Sequence, residues 1–154
     1  MGNRAIITLQ DPKGKKHPVA LYVHWHGGLE SVLAFMEYTF QTFERGRDDM
    51  FTFHARLCQV IGNFFCDGLS LYGFPLKEAD AMASGCDNGR FHFVVGPDGV
   101  RLPGREAECD EARRHAYWTR QHPIQEIMRG AMPARDEQFL PKGGTAPAGV
   151  NAVS

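Results

Sequence analysis

The sequence predicts a protein of the α+β class, in which a small antiparallel sheet carries a pair of helices on one face. Short β-branched runs stand before residue 26 and after residue 68, and between them apolar residues recur at helical steps of three and four. The predicted order is therefore strand, strand, helix, helix, strand, strand, strand. With 154 residues, the chain has the length of one domain.

Two strands are predicted at the start of the chain. Ala5–Leu9 is rich in β-branched residues, and the turn formers and lysines of 11–16 cannot continue it, so they form a hairpin loop. The second strand, Val19–Trp25, ends at Gly27 and Gly28, where unusual backbone angles cost little.

Two amphipathic helices follow these strands. The first covers Leu29–Phe43, whose apolar residues fall on one stripe, and we expect it to end near Gly46. The second covers Phe53–Phe64 and repeats this spacing before Gly68. Each helix therefore has one apolar face to pack against the sheet.

Three more strands are predicted after the helices. Leu69–Tyr72 alternates in polarity, and Arg90–Val95 gives the clearest strand pattern of the chain. The turn Pro97–Gly99 joins the latter strand to Val100–Leu102 as a hairpin. The segment 77–89 gives a mixed pattern that ends in Asn-Gly turn chemistry.

These elements make residues 1–103 the predicted core domain. Residues 104–132 are charged and permissive for helix, and we interpret them as a helical extension. Residues 133–154 carry Gly, Pro and small side chains without an apolar period, which is typical of a flexible tail.

Composition excludes several classes of protein. Lys and Arg number 17 against 18 for Asp and Glu, so no global field attracts nucleic acid or anionic lipid. The longest apolar windows are far shorter than the roughly 20 residues that cross a bilayer, and no membrane contact is predicted. The cysteines lack the spacing of a zinc or redox motif, and we expect reduced thiols in a cytoplasmic protein.

The end of the second strand holds the first candidate site. Alternation predicts that Tyr22, His24 and His26 share an exposed face, while Trp25 packs inward against the first helix. Two imidazoles on a strand could supply ligands to zinc or another borderline metal, with His92, or else His54 or Cys58, as a third. A solvated outer face of the sheet explains the same pattern, and we predict no metal.

The same face is a candidate binding surface. Arg90 and His92 of the later hairpin would add hydrogen-bond donors to the rings of Tyr22, His24 and His26. Single-stranded nucleic acids stack on surfaces of this kind. Proteins also bind to them, because Tyr, Trp and Arg are frequent interface anchors.

Gly27 and Gly28 form the second candidate site, where the strand meets the first helix. Free amides at a helix N-terminus attract anions, so a phosphate could bind there. Tight packing of the turn is the alternative, because the chain has neither a Gly-x-Gly-x-x-Gly nor a Gly-Lys-Ser/Thr pattern.

Arg56, Gln59 and Asn63 form a polar stripe on the second helix, opposite its apolar face. They either hydrogen-bond the turns near residues 27 and 87 or offer a strip to a partner. No Cys, Ser or His has a recognisable partner at catalytic spacing, so we predict no catalytic residue and no cofactor.

Five segments occur here in a specific combination: Met1–Ala5, Tyr22–Gly28, Ser31–Phe35, Ala55–Phe65 and Cys86–Gly89. In these segments the chain resembles a family of small proteins carried by phages, plasmids and integrative elements of bacteria. The resemblance implies a mobile-element accessory protein, with an extension after Pro103, and no particular activity. His26 departs from the family pattern, which has Asn after the tryptophan, and this speaks against a metal pair formed by His24 and His26.

The sequence therefore predicts a non-enzymatic binding protein of a mobile element, which contacts a host protein or defence complex as anti-CRISPR proteins do. One alternative is a small nucleotide-binding protein or metal-dependent enzyme that uses His24 and the Gly27–Gly28 junction. The other is a single-stranded nucleic-acid binder. The sequence leaves the oligomeric state open.

Overall fold

A computed structural model describes residues 2–65 and 70–114 of the chain. Within these ranges there are five strands: β1 (Ala5–Gln10), β2 (Val19–Val23), β3 (Leu71–Pro75), β4 (Arg90–Gly96) and β5 (Gly99–Arg101). They form one sheet in the order β3-β2-β1-β4-β5. The same ranges hold the helices α1 (Leu29–Thr42), α2 (Met50–Phe65), α3 (Ala79–Ala83) and α4 (Glu106–Ala112), with 3-10 turns at Glu44–Arg47 and Leu76–Glu78.

The α+β class and the helix pair on one face of the sheet are confirmed. Alternate strand residues point toward α1 and α2 and are buried: Ala5, Ile7, Leu9, Leu21, Val23, Phe91, Phe93 and Val95. From the helices, Leu33 and Phe35 of α1 and Phe53 and Leu57 of α2 complete this core. The core therefore lies between the sheet and the two long helices.

Within residues 2–65 and 70–114, the opposite face of the sheet is only partly covered. The short helix α3 lies over one end of it, where Ile6, Ala20 and Ala79 form a second, smaller apolar cluster. Arg90 of β4 donates to the Asp80 carboxylate of α3 at 2.8 Å and ties the helix to the sheet. Beyond α3 this face carries polar and aromatic side chains, and these form the candidate site.

The sheet is mixed rather than wholly antiparallel. β1 pairs with β2 antiparallel, but it pairs with β4 parallel, with Ile7 opposite Phe91. The chain reaches this arrangement because α3 crosses over the sheet between β3 at one edge and β4 on the far side of β1. The predicted hairpin of the last two strands is confirmed as the antiparallel pair β4 and β5.

The predicted inward position of Trp25 is wrong, because 43% of its surface is exposed. β2 ends at Val23, and the strict alternation of faces ends with it. Residues 24–26 bend, and His26 has a φ of 56°. The prediction failed because it extended the strand two residues too far.

The described part of the predicted extension packs on the core. Cys109 and Ala112 of α4 are buried in the main cluster, and Arg113 donates to the Glu37 carboxylate of α1 at 2.6 Å. Residues 115–154, which include the predicted tail, lie outside the described residues. In the ranges 2–65 and 70–114, no helix has the length and apolar character needed to cross a membrane.

Candidate functional site

The loop between β2 and α1 is held by the segment that precedes β1. Asn3 donates its backbone N–H to the carbonyl of His24 at 2.9 Å, and Gly27 donates its N–H to the carbonyl of Asn3 at 2.8 Å. The segment before β1 and this loop are therefore bonded to each other, which fixes the path of residues 24–28.

The turn before β4 joins the other side of this contact. Arg4 donates through its backbone N–H to one Asp87 oxygen at 3.0 Å and through Nε to the same oxygen at 3.1 Å. Asn88 donates its side-chain amide to the Asn3 side chain and its backbone N–H to the Arg4 carbonyl. The hydrogen bond from Arg4 lowers the pKa of Asp87 to about 2, so this ion pair persists at neutral pH.

Gly27 lies where two backbone segments approach closely. A Cβ at this position would be 2.5 Å from the Asn3 carbonyl oxygen and 2.8 Å from the Ala5 nitrogen. At Gly28 it would meet the Asn3 side chain at 3.8 Å, an ordinary contact. The Gly27 amide is already bonded to Asn3, so it is not available to an anion at the start of α1.

An unbroken row of aromatic rings runs from the loop after β2 to the edge of the sheet. In order, the rings of this aromatic row belong to Trp25, His24, Tyr22, Tyr72 and Phe74. Trp25 meets His24 edge to face at 4.8 Å, and Tyr22 stacks on Tyr72 at 4.6 Å. Trp25 is 43% and Tyr72 is 45% exposed, so large rings face solvent in both the loop and the edge strand.

Tyr22 and His24 share one side of the sheet, as predicted. The Tyr22 hydroxyl lies 2.7 Å from His24 Nδ1, which fixes the orientation of both rings. Burial, together with the neighbouring Tyr72, raises the pKa of Tyr22, so its hydroxyl keeps its proton. Inside the row, this hydrogen bond joins the loop after β2 to the sheet.

His26 does not join Tyr22 and His24, although the sequence predicted one shared face. Its positive φ turns the ring toward α2, where it meets Phe64 edge to face at 5.1 Å and Phe65 at 5.9 Å. Such a φ is uncommon outside Gly, and Asn, Asp and His are the residue types most enriched there.

Arg90 and His92 belong to a separate polar network on the same face of the sheet. Arg90 Nε donates to the buried Thr8 hydroxyl at 2.9 Å, and that hydroxyl lies 2.8 Å from His92 Nδ1. Gln10 Oε1 lies 2.6 Å from His92 Nε2 and can only accept, so the proton of the neutral ring is on Nε2. His92 Nδ1 then accepts a hydrogen bond from the Thr8 hydroxyl. Burial and then the charge of Arg90 lower the pKa of His92, consistent with this neutral ring.

Replacing Thr8 with Val should destabilise the protein by about 1–3 kcal/mol, because Arg90 and His92 would each lose a partner in a partly buried setting. Urea unfolding measures the change. Thr42→Val is the matched control: its hydroxyl donates to a helix carbonyl at an exposed position, so we expect a change within about 0.5 kcal/mol. Equal losses in the two variants would contradict the network.

The polar stripe of the second helix makes contacts mainly within the helical layer. Arg56 Nη1 donates to Gln59 within α2 at 3.3 Å, and the guanidinium lies 5.8 Å from the ring of Phe43. Asn63 is half-buried near the end of the helix. The turn before β4 is held by Asn3 and Arg4, so the stripe is not needed for that anchoring role.

The sequence did not reveal a second histidine pair at the start of β2. His17 and His54 stack face to face with centroids 3.6 Å apart, and His54 Nε2 lies 3.1 Å from the Val19 carbonyl. Both rings are buried, and burial lowers both pKa values, that of His54 to about 4. Cys58 Sγ lies 3.8 Å from His54 Nδ1. These two residues are one helical turn apart, a spacing that is visible in the sequence.

These side chains offer little for metal or thiol chemistry. Among the described residues, no group of three or more His, Cys, Asp or Glu side chains could hold a metal ion. Cys58, Cys86 and Cys109 are free thiols, and burial raises the pKa of each above its ordinary value. A raised pKa disfavours the thiolate that a nucleophile or metal ligand requires.

No family model matches the chain, and neither a curated protein nor a solved structure is significantly similar to it.

Proposed function

We propose that this chain is a non-enzymatic protein-binding protein whose contact surface is the aromatic row. The observation that carries the proposal is the exposure of Trp25 and Tyr72 within one continuous run of ring contacts. Trp and Tyr are enriched among the residues that dominate binding energy at protein interfaces. Neighbouring rings hold them in place, so little side-chain entropy is lost when a partner binds.

Charge favours a protein over a nucleic acid as the partner. Phosphate backbones bind through several uncompensated Lys and Arg side chains. Arg4 lies near Tyr22 and is paired with Asp87, and Arg90 is paired with Asp80. These two arginines therefore bring little net positive charge to the row.

The family resemblance indicates which partner to test first. A mobile-element accessory protein acts inside the host cell, so we propose a cytoplasmic host protein, and in the first instance a component of a defence complex such as a CRISPR effector. The free thiols of Cys58, Cys86 and Cys109 agree with a reducing compartment. Such a protein would act by stoichiometric binding.

The test compares Trp25→Ala with the wild-type chain, first in capture from host lysate and then by calorimetry with the purified partner. We expect the dissociation constant to rise by about 30-fold, the equivalent of a 2 kcal/mol hot spot. Because Trp25 is 43% exposed, its removal should change the free energy of unfolding by less than about 1 kcal/mol. Phe51→Ala is the matched control, since its ring is 41% exposed and lies outside the row.

Three results would contradict this function. Equal binding by Trp25→Ala and wild type, with a loss in Phe51→Ala, would place the interface elsewhere. Inhibition of the target at far less than equimolar amounts would indicate turnover and an enzyme. Tight, salt-sensitive binding of oligonucleotides would instead favour the nucleic-acid alternative.

A further inference from the structure

The hydrogen bonds of β3 show which of its backbone groups have no hydrogen bond to another described residue. β3 is the edge strand beside β2, and at the two ends of their ladder His24 N–H donates to Ser70 and Leu76 N–H donates to Pro18, both at 2.9 Å. In an antiparallel pair, alternate residues of a strand bond to the same neighbour. Residues 70, 72, 74 and 76 therefore face β2, and residues 71, 73 and 75 direct their backbone groups to the open edge.

This open edge offers hydrogen-bond donors and acceptors from the backbone of three residues. Leu71 and Gly73 each present one N–H and one carbonyl, whereas Pro75 has no N–H to offer. Unpaired edges of this kind are templates for another strand, and proteins usually protect them with charged side chains. The strand Leu71–Pro75 contains no charged residue, so nothing in its own sequence repels a second copy.

We propose that two copies of this chain associate through β3, antiparallel, about a two-fold axis that passes through Tyr72. In this register Leu71 of each copy pairs with Gly73 of the other. All four free groups of the two residues are then satisfied in each copy. The pattern is self-complementary, as an isologous two-fold interface requires.

The side chains and Pro75 favour this register over the one in which the two-fold axis passes through Gly73. An axis through Gly73 would set Leu71 opposite Pro75, whose missing N–H leaves the Leu71 carbonyl without a donor. An axis through Tyr72 instead sets the two Tyr72 side chains opposite each other in the closer, non-hydrogen-bonded type of pair, where aromatic pairs are stabilising. The two exposed rings of Tyr72 would thereby contact each other on one face of the joined sheet.

The pairing would also extend the aromatic row. Two five-stranded sheets would become continuous, and the rows of the two copies would meet at Tyr72 on the same side. The dimer does not depend on the identity of any partner. If the proposed function also holds, each dimer presents a doubled binding surface.

Two experiments test the dimer: a measurement of its mass in solution and a disulfide cross-link at an introduced cysteine. The full chain should show a dimer mass by light scattering that decreases toward the monomer mass on dilution. Tyr72→Cys should form a disulfide-linked dimer under mild oxidation, because the Cα atoms of such a pair lie about 4.5 Å apart, within disulfide range. Phe74→Cys is the matched control. In this register residue 74 lies opposite residue 70 of the other copy, so the two introduced cysteines are about 13 Å apart along the strand and should not cross-link.

A second variant places a charged side chain at residue 72, on the proposed two-fold axis. Tyr72→Lys would place two like charges opposite each other and should remain monomeric at concentrations where wild type is dimeric, with an unchanged circular dichroism spectrum. Tyr72→Phe should still dimerise. The proposal is overturned if wild type keeps the monomer mass up to millimolar concentration, if Phe74→Cys or wild type cross-links as well as Tyr72→Cys, or if Tyr72→Lys remains a dimer.

Discussion

Gly27→Ala should lower the free energy of unfolding by about 3 kcal/mol, at the upper end for overpacking of a buried site. The added methyl group would stand 2.5 Å from the Asn3 carbonyl oxygen and 2.8 Å from the Ala5 nitrogen. Both are backbone atoms, and those of Ala5 belong to a central strand that cannot shift alone. Relief would therefore separate residues 2–4 from the loop and break the hydrogen bond from Gly27 to Asn3.

Gly28→Ala is the matched control for this substitution. Its new methyl group would lie 3.8 Å from the Asn3 side chain, and the φ of −66° at this position suits any residue. Urea unfolding of the two variants should therefore differ by about 3 kcal/mol, with Gly28→Ala close to wild type. Similar values for both would show that the segment before β1 does not pack on the loop as described.

Acid should destabilise the protein between pH 6.5 and about 4 through the stacked pair of His17 and His54. Burial holds the pKa of His54 at about 4 in the folded state, against 6.5 in the unfolded chain. The unfolded chain then binds more protons in this window, so stability is complete above pH 6.5 and decreases as the pH falls. His54 alone accounts for a loss of about 3 kcal/mol. The pKa of His17 is also lowered, so His17 adds to this loss in the same direction.

His54→Gln isolates this contribution, because an amide can still donate to the Val19 carbonyl and does not titrate. The free energy of unfolding of this variant, measured by urea at a series of pH values, should decrease less than that of wild type between pH 6.5 and 4. Asp87, with a folded pKa of about 2, gives a separate loss only below about pH 4. Parallel profiles for the two proteins would rule out His54 as the source.

Local patterns predicted the elements of this fold well. The spacing of apolar residues located α1 and α2, and the turn at Pro97–Gly99 located the hairpin of β4 and β5. These signals are carried by residues close together in the chain. The parallel pairing of β1 with β4 joins residues more than 80 positions apart, as in Ile7 with Phe91, and no local pattern encodes it.

The candidate site was predicted in part for the same reason. Tyr22 and His24 are neighbours on one strand, so alternation alone placed them together. The continuation of the row to Tyr72 and Phe74 depends on the order of strands in the sheet, which the sequence did not specify. The exposure of Trp25 depends on where β2 ends, and the loop that follows is bonded to Asn3, more than 20 positions earlier in the chain.

The parallel pairing of β1 and β4 also sets the order of events during synthesis. When the ribosome has released β1 and β2, the hairpin of these strands can form, but the other side of β1 has no neighbour until β4 has emerged. Until then the run of Ala5–Leu9, almost entirely apolar, has one unprotected side that can pair with a strand of another nascent chain. Slow translation between β2 and β4 should therefore lower the soluble yield of this protein, whereas its final stability would be unchanged.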